Sequence, residues 1–568
     1  MSTQHWKEIV AQKRQQRTES IPKEWILTNL PSQDTLNVID FPESCGLLTE
    51  LDIQITNTEV TLLLEKLAQG TWSAVEVTTA FAKRAIIAQQ LVNCLTEIFV
   101  DKALARAAEL DAHLKTTGKV VGPLHGLPIS LKDQINVKGV DSTMGYVSWA
   151  FKPATKNAVL ADILEANGAV LYVKTNIPQT LMWGETFNHV FGRTTNPYNR
   201  NLTSGGSSGG EGALVALKGC PIGVGSDIGG SVRIPSAFNG VYGLRGSYGR
   251  IPYGGCVNSL EGQDSILSVL GPLSNSIGGL KVFVKSVVDQ KPWFVDPLAV
   301  RKPWNEEEYQ LIEHGKGEKL CFGILWDDGI TKPHPPVIRG LEETKKALLA
   351  AGHQVVDWKP LNHGEFYKAA GSIWSAAAAE DFRVSSAPTG EPVIETMDLS
   401  YEDVDAPPTE SIPLFRPNPN GISSYELWQV QRRKRDLRQE YLDHWNATAV
   451  VTDTGRPVDA IISPCAAYVA PPHGMNKSAV YTTIWNVLDY VALVVPTGKF
   501  VDPVLDAPRP PHEFYSSVDK ENYEFYKPET FKDAPITIQV VGRTLEEEAV
   551  IGMAEIVDAA LKAYSPKL

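Results

Sequence analysis

Fourteen of the chain's 45 glycines fall within residues 201–250, and no other feature of the sequence constrains its fold as strongly. The segment reads NLTSGGSSGGEGALVALKGCPIGVGSDIGGSVRIPSAFNGVYGLRGSYGR. Glycine has no Cβ, so backbone N–H groups in such a stretch can approach a ligand closely and cradle an anion or an oxyanion. A flexible Gly/Ser linker lacks apolar elements, whereas residues 213–217 and 222–224 interrupt these glycines as a short helix and a strand. The segment is therefore expected to be ordered, with one helix and one strand between Ser207 and Ser231.

Three chemistries compete for it. A phosphate loop needs Lys-Ser/Thr after its glycines, and Gly209-Gly210-Glu211 places an acid there; a dinucleotide fingerprint fails because Gly223-x-Gly225-x-x-Ile228 lacks the third glycine. Gly205-Gly206-Ser207-Ser208-Gly209 matches the GxSxG nucleophile elbow, yet that motif follows a buried strand and residues 199–203 form a polar turn. Its histidine would be His473 or His512, both in Pro-rich loops where no partner acid can be assigned. The third chemistry needs no histidine: Ser207 and Ser231 meet at one end of a sheet, and a lysine supplies the base. Lys132 is the candidate, since it ends the apolar run 127–131 and burial lowers a lysine pKa toward the neutral, proton-accepting form.

The rest of the chain reads as an α/β protein. Residues 1–45 form a polar arm expected to pack on the body or on a partner subunit, docking through Trp6 and Trp25; residues 46–568 are expected to form one domain. Thr56-x-x-Glu59 and Ser73-x-x-Glu76 read as capping boxes of successive helices, the first carrying Val60, Leu63, Leu64 and Leu67 and closing at Gly70. Strand-length runs 127–131 and 169–173 flank a helical pattern at 160–167, an alternation that implies α/β. Residues 291–420 carry little periodicity and read as a variable elaboration, followed by a long charged helix at 425–445 taken as a solvated face. Runs at 460–463, 491–495 and 536–541 resume the strands, and a helix over 545–563 closes the chain, so that one sheet can collect every strand.

Composition excludes several functions. Lys+Arg 53 against Asp+Glu 66 gives a net charge of −13, which opposes nucleic acid as a partner. The six cysteines form no CxxC and the eleven histidines no HExxH, so no metal is expected. The N-terminal residues lack the apolar core of a secretory signal, and no apolar run reaches the ~18 residues of a membrane span; the expectation is a cytoplasmic protein. The sequons at Asn201, Asn446 and Asn476 read as chance matches. Pro566-Lys567-Leu568 shares two residues with the peroxisomal tripeptide but has Pro in place of its small first residue, leaving a peroxisomal location as the alternative.

Gly205-Gly206-Ser207-Ser208-Gly209-Gly210, Asp227-Ile228-Gly229-Gly230-Ser231-Val232-Arg233 and Pro128-Ile129-Ser130-Leu131-Lys132-Asp133 together resemble the signature elements of the amidase signature family. The likeness points within that family to fungal acetamidases and general amidases, and it runs from Ile39-Asp40-Phe41-Pro42 to residues 535–543, with a signature core over about 120–290. The resemblance implies a large mixed β-sheet flanked by helices on both faces. It also implies Ser231 as nucleophile, Ser207 as a bridging serine after a cis peptide bond, and Lys132 as base. Backbone N–H groups of Ile228, Gly229, Gly230 and Ser231 would form the oxyanion hole. Asp227 and Arg233 would hold that loop, with Ser130 and Ser208 as further hydrogen-bond donors.

By position in the family pattern, Tyr146, Leu181, Met182 and Trp183 would line the acyl pocket, and such bulky residues favour a short or flat aromatic acyl group over a lipid tail. The implied activity is hydrolysis of small aliphatic or aryl amides through an acyl-enzyme, with no cofactor and no metal. Carbamate or ester hydrolysis on the same residues is the alternative. Some relatives serve as the amidase subunit of an amidotransferase complex, and a homodimer is compatible with the resemblance.

Overall fold

A computed structural model describes residues 3–399 and 420–564. Pro566-Lys567-Leu568 and the 400–419 portion of the elaboration lie outside the described residues. The strands, in chain order, are β1 (Leu95–Ile98), β2 (Pro128–Lys132), β3 (Val170–Thr175), β4 (Phe187–Asn188), β5 (Gly192–Arg193), β6 (Ile222–Asp227), β7 (Tyr242–Arg245), β8 (Val269–Ser274), β9 (Cys321–Leu325), β10 (Gln354–Trp358), β11 (Ala460–Ser463), β12 (Ala492–Phe500) and β13 (Pro535–Val541). Eleven of them make one sheet in the order β1-β3-β2-β6-β8-β7-β12-β13-β11-β9-β10, while β4 and β5 pair as a small separate hairpin. The sheet is mixed: β2 runs parallel to β3 and β6, and β6 runs antiparallel to β8. Every residue of β2, β3, β6 and β13 is buried, as near-continuous apolar strands are when helices cover both faces. The α/β expectation, with a large mixed sheet and helices around it, holds.

Local signals held where the side chain had no nearer partner. Ser73 caps the helix Ala74–Val92 in a full box with Glu76. The box placed at Thr56 is corrected: Thr56 lies inside the helix Glu50–Asn57, its hydroxyl donating back to the Asp52 carbonyl at 2.8 Å. The box belongs to Thr49 and Asp52, and Glu59 itself caps the helix Val60–Ala68 by accepting from Thr61 N–H. The charged helix Ser424–Ala447 is also less solvated than its composition suggests. Leu437, Tyr441 and Trp445, at i, i+4 and i+8, are wholly buried.

Two regions depart from a simple reading. The elaboration supplies β9 and β10 at one edge of the sheet, together with the helices Pro335–Ala350 and His363–Trp374. At the N-terminus, the helix Thr3–Glu19 buries Trp6 and inserts Lys13, whose Nζ lies 2.7 Å from both Glu97 and Asp141. Trp25 is buried in the main core. Among the described residues, no helix is long and apolar enough to cross a membrane.

Candidate active site

Register places the chemistry at one end of the sheet. β2 pairs with β6 through Ile129↔Ile222, Ser130↔Gly223 and Leu131↔Val224, so Lys132 at the end of β2 stands beside the end of β6, where Ser226 and Asp227 lie. Lys132 Nζ is hydrogen-bonded to Ser207 Oγ at 2.7 Å and to Ser226 Oγ at 2.9 Å, and Ser226 Oγ donates in turn to Gln134 Oε1. Burial lowers the Lys132 pKa to about 7 against the opposing charges of Asp227, Glu211 and Asp133. An amine with that pKa is largely neutral at mildly alkaline pH and can accept a proton.

Ser207 enters from the turn that starts the helix Gly209–Ala216, and the Gly206–Ser207 peptide is cis. Its segment is stitched to that of Ser231 by Ser208, whose N–H donates to the Ser231 carbonyl at 3.2 Å. Ser208 Oγ also accepts from Ser226 N–H at 3.2 Å and donates to the Ser226 carbonyl at 3.3 Å. Exposure rises from 0 % at Lys132 to 1 % at Ser207 and 8 % at Ser231, so of these three Ser231 lies nearest to open space.

The loop after β6 is fixed by one buried ion pair. Asp227 accepts from Arg233 Nε and from the second terminal nitrogen at 3.0 Å each, and from Asn486 Nδ2 at 2.8 Å. Burial alone would raise the Asp227 pKa, but the Arg233 charge and these hydrogen bonds hold it well below the usual carboxylate range. Arg233 extends the clamp to the Thr482 carbonyl and to Asn486 on the helix Val480–Leu488. Thr482 and Thr483 hydroxyls both donate to the Gly229 carbonyl, at 2.7 and 3.1 Å.

The expected donor set changes here. Gly230 N–H donates to Asp227 Oδ1 at 2.8 Å, so it belongs to the clamp, whereas the N–H groups of Ile228, Gly229 and Ser231 are not drawn into that network. Gly230 also requires glycine, because its φ is +135° and an added Cβ would meet Thr482 Oγ1 at 2.3 Å.

A cavity of about 40 Å³ opens beside Ser231. Leu181, Met182 and Trp183 line it, together with Ile228, Tyr367 and Trp374. Tyr146 does not: it is fully buried one layer back, in a cluster with Met144, Ile177 and Leu181. Ser130 is also displaced from the lysine. Its hydroxyl donates to Glu211 Oε2 at 2.5 Å, while Thr175 Oγ1 donates to Glu211 Oε1 at 2.9 Å.

Glu211, noted in the sequence only as a residue that spoils a phosphate loop, is thus a wholly buried acid bridging β2, β3 and the helix that follows Ser207. Burial raises its pKa to about 8 against those two hydrogen bonds. A Cβ at Gly223 would lie 2.1 Å from Glu211 Oε2, so the glycine of β6 makes room for this acid. Alternation along β6 puts Ser226 on the face of Val224, which pairs with Leu131, so the sequence carried no signal for it and the structure alone brings its hydroxyl to Lys132. Trp374 and Tyr367 carried none.

The elbow alternative finds no support in this geometry. His473 Nε2 is bonded to the Arg200 carbonyl at 3.1 Å, and His512 has an acid partner, Asp519, at 2.9 Å, but neither is hydrogen-bonded to Ser207.

The chain is similar to known proteins over most of its length. The Amidase family model matches residues 76–551. An acetamidase of Aspergillus oryzae is 42 % identical over 562 residues, covering 99 % of this chain and 100 % of its own length. An acetamidase of Emericella nidulans is 42 % identical over 559 residues, with 98 % of each chain covered. Among solved structures, a fatty acid amide hydrolase superposes with a TM-score of 0.88 at 33 % identity, over 98 % of this chain and 95 % of that one.

Proposed function

This chain belongs to the amidase family and is an amide-hydrolysing enzyme, and from that premise we propose that it cleaves small aliphatic amides through an acyl-enzyme on Ser231. The observation that carries the reading is the buried Lys132 amine 2.7 Å from Ser207 Oγ, with Ser231 beyond it at the cavity. Neutral Lys132 takes a proton from Ser207, Ser207 takes one from Ser231, and Ser231 Oγ attacks the amide carbonyl. The N–H groups of Ile228, Gly229 and Ser231 receive the oxyanion; losing one donor of this kind costs about 10²–10³ in rate. Ser207 then passes its proton to the departing nitrogen, so ammonia leaves as a neutral molecule, and water releases the carboxylate from Ser231.

The cavity and the relatives support this substrate class. Its walls near Ser231 are apolar, and its volume of about 40 Å³ suits an acyl group of a few heavy atoms. Relatives named acetamidase that match over nearly the whole length support the same class. The test is ammonia or amine release from acetamide, benzamide, an anilide, ethyl carbamate and a fatty amide, with Ser231→Ala in parallel. Turnover of acetamide above the others, abolished in the variant, is the expected result. Efficient turnover of acetamide by Ser231→Ala would overturn the assignment.

A further inference from the structure

The cavity wall opposite the glycine-rich loops comes from a helix of the elaboration. The helix His363–Trp374 is anchored on one side by aromatic contacts, Phe366 against Tyr441 at 5.7 Å and His363 against Trp485 at 6.1 Å between ring centroids. Tyr367 and Trp374, about two helical turns apart, share another side and both line the cavity beside Ser231. The indole of Trp374 covers the loop itself, with Cη2 only 3.1 Å from where a Cβ on Gly229 would stand. What remains open is about 40 Å³, enough for two or three water-sized groups.

Leu181, Met182, Trp183, Ile228 and Ile234 add further apolar wall, with Thr483 as a polar member, so the lining is mostly hydrocarbon. The indole is itself buried and stands at the end of a helix held by buried residues along its length, Phe366, Ala369, Ala370 and Ile373, so its backbone is fixed against the cavity.

We propose that Trp374 is the residue that limits acyl length, closing the cavity so that two- and three-carbon acyl groups reach Ser231 and chains of about six carbons or more do not. The proposal rests on the reading of Ser231 as the acyl acceptor. Shortening the side chain at 374 removes a wall without touching Lys132, Ser207, Ser231 or the backbone donors, so the chemistry is retained while the size limit is relaxed.

The test compares wild type with Trp374→Ala, and with the milder Trp374→Leu in case the alanine variant folds poorly. One readout is the ratio of kcat/KM for hexanamide to that for acetamide. The other is the ratio of Ser231 labelling rates by octyl and methyl fluorophosphonates, in which Ser231 Oγ displaces fluoride from phosphorus without any amide being cleaved. Both ratios are expected to rise at least about tenfold in Trp374→Ala, and by less in Trp374→Leu. Unchanged ratios in variants that keep the wild-type melting temperature and still form the Ser231 adduct would overturn the size limit and leave the hydrolase reading standing. A wild-type protein that forms no adduct on Ser231 with either reagent would overturn the hydrolase reading and this proposal with it.

Discussion

Residues 201–250 and the elaboration that begins at residue 291 face each other across one cavity, and they are built on opposite principles. The first region works through its backbone: Gly230 sits at a φ of +135° against Thr482, and Gly223 leaves room for Glu211. The second works through side chains carried on a helix with two glycines, of which Gly364 makes only an ordinary contact and Gly371 has nothing within 4 Å of an added Cβ. Reaction chemistry that depends on close backbone approach forces particular residues into particular places. A wall that only fills space can be made from many sequences.

Substitutions in the two regions sharpen or break this contrast. The largest effect is expected at Lys132: Lys132→Ala removes the proposed proton acceptor and should lower kcat by up to about 10⁴-fold with the fold intact by circular dichroism. A variant with near wild-type turnover at neutral pH would contradict the relay. Asp227→Asn leaves Arg233 buried without its counter-charge and should destabilise the protein by about 3 kcal/mol in urea titrations. Gly230→Ala should cost about 2 kcal/mol through its clash with Thr482 and the unfavourable φ, together with most of the activity; an unperturbed variant would show that the loop is softer than described.

Smaller effects follow from pH and from the elaboration. Lys132 must be neutral to accept a proton, and burial lowers its pKa to about 7. Protonation below that value removes the base, so kcat/KM should fall by up to about tenfold per pH unit as pH drops below 7, and level off above it. A profile flat from pH 5 to 9 would place the base elsewhere. Gly371→Ala, in an open helical position, should instead stabilise the protein by about 0.5–1 kcal/mol and leave acetamide turnover unchanged.

The same contrast explains what was legible in the sequence. β2, β3, β6 and β13 are buried along their whole lengths, and the strand-like runs at 127–131, 169–173, 222–224 and 536–541 mark them in the sequence. Lys132, Ser207 and Ser231 stood out because their neighbours are forced by geometry. Thr56 shows a limit of local motifs, since a threonine can satisfy its hydroxyl on its own helix as readily as it caps the next one. Nothing in the sequence reveals that Asp227, three residues earlier, claims the Gly230 N–H. Glu211 looked like an obstacle to one motif, and only the fold brings Ser130 and Thr175 to it. Tyr367 and Trp374 reach the cavity because their helix docks on Tyr441 and Trp485, a tertiary contact with no local pattern.

The central claim is that Ser231 attacks while Ser207 relays the proton. Incubation with a small fluorophosphonate, followed by proteolysis and mass mapping of the adduct, tests this most directly. The account predicts the phosphonyl group on Ser231, with labelling absent in Ser231→Ala and slowed in Ser207→Ala and Lys132→Ala. An adduct on Ser207, undiminished when Ser231 is replaced, would contradict it and return the nucleophile to the GxSxG serine.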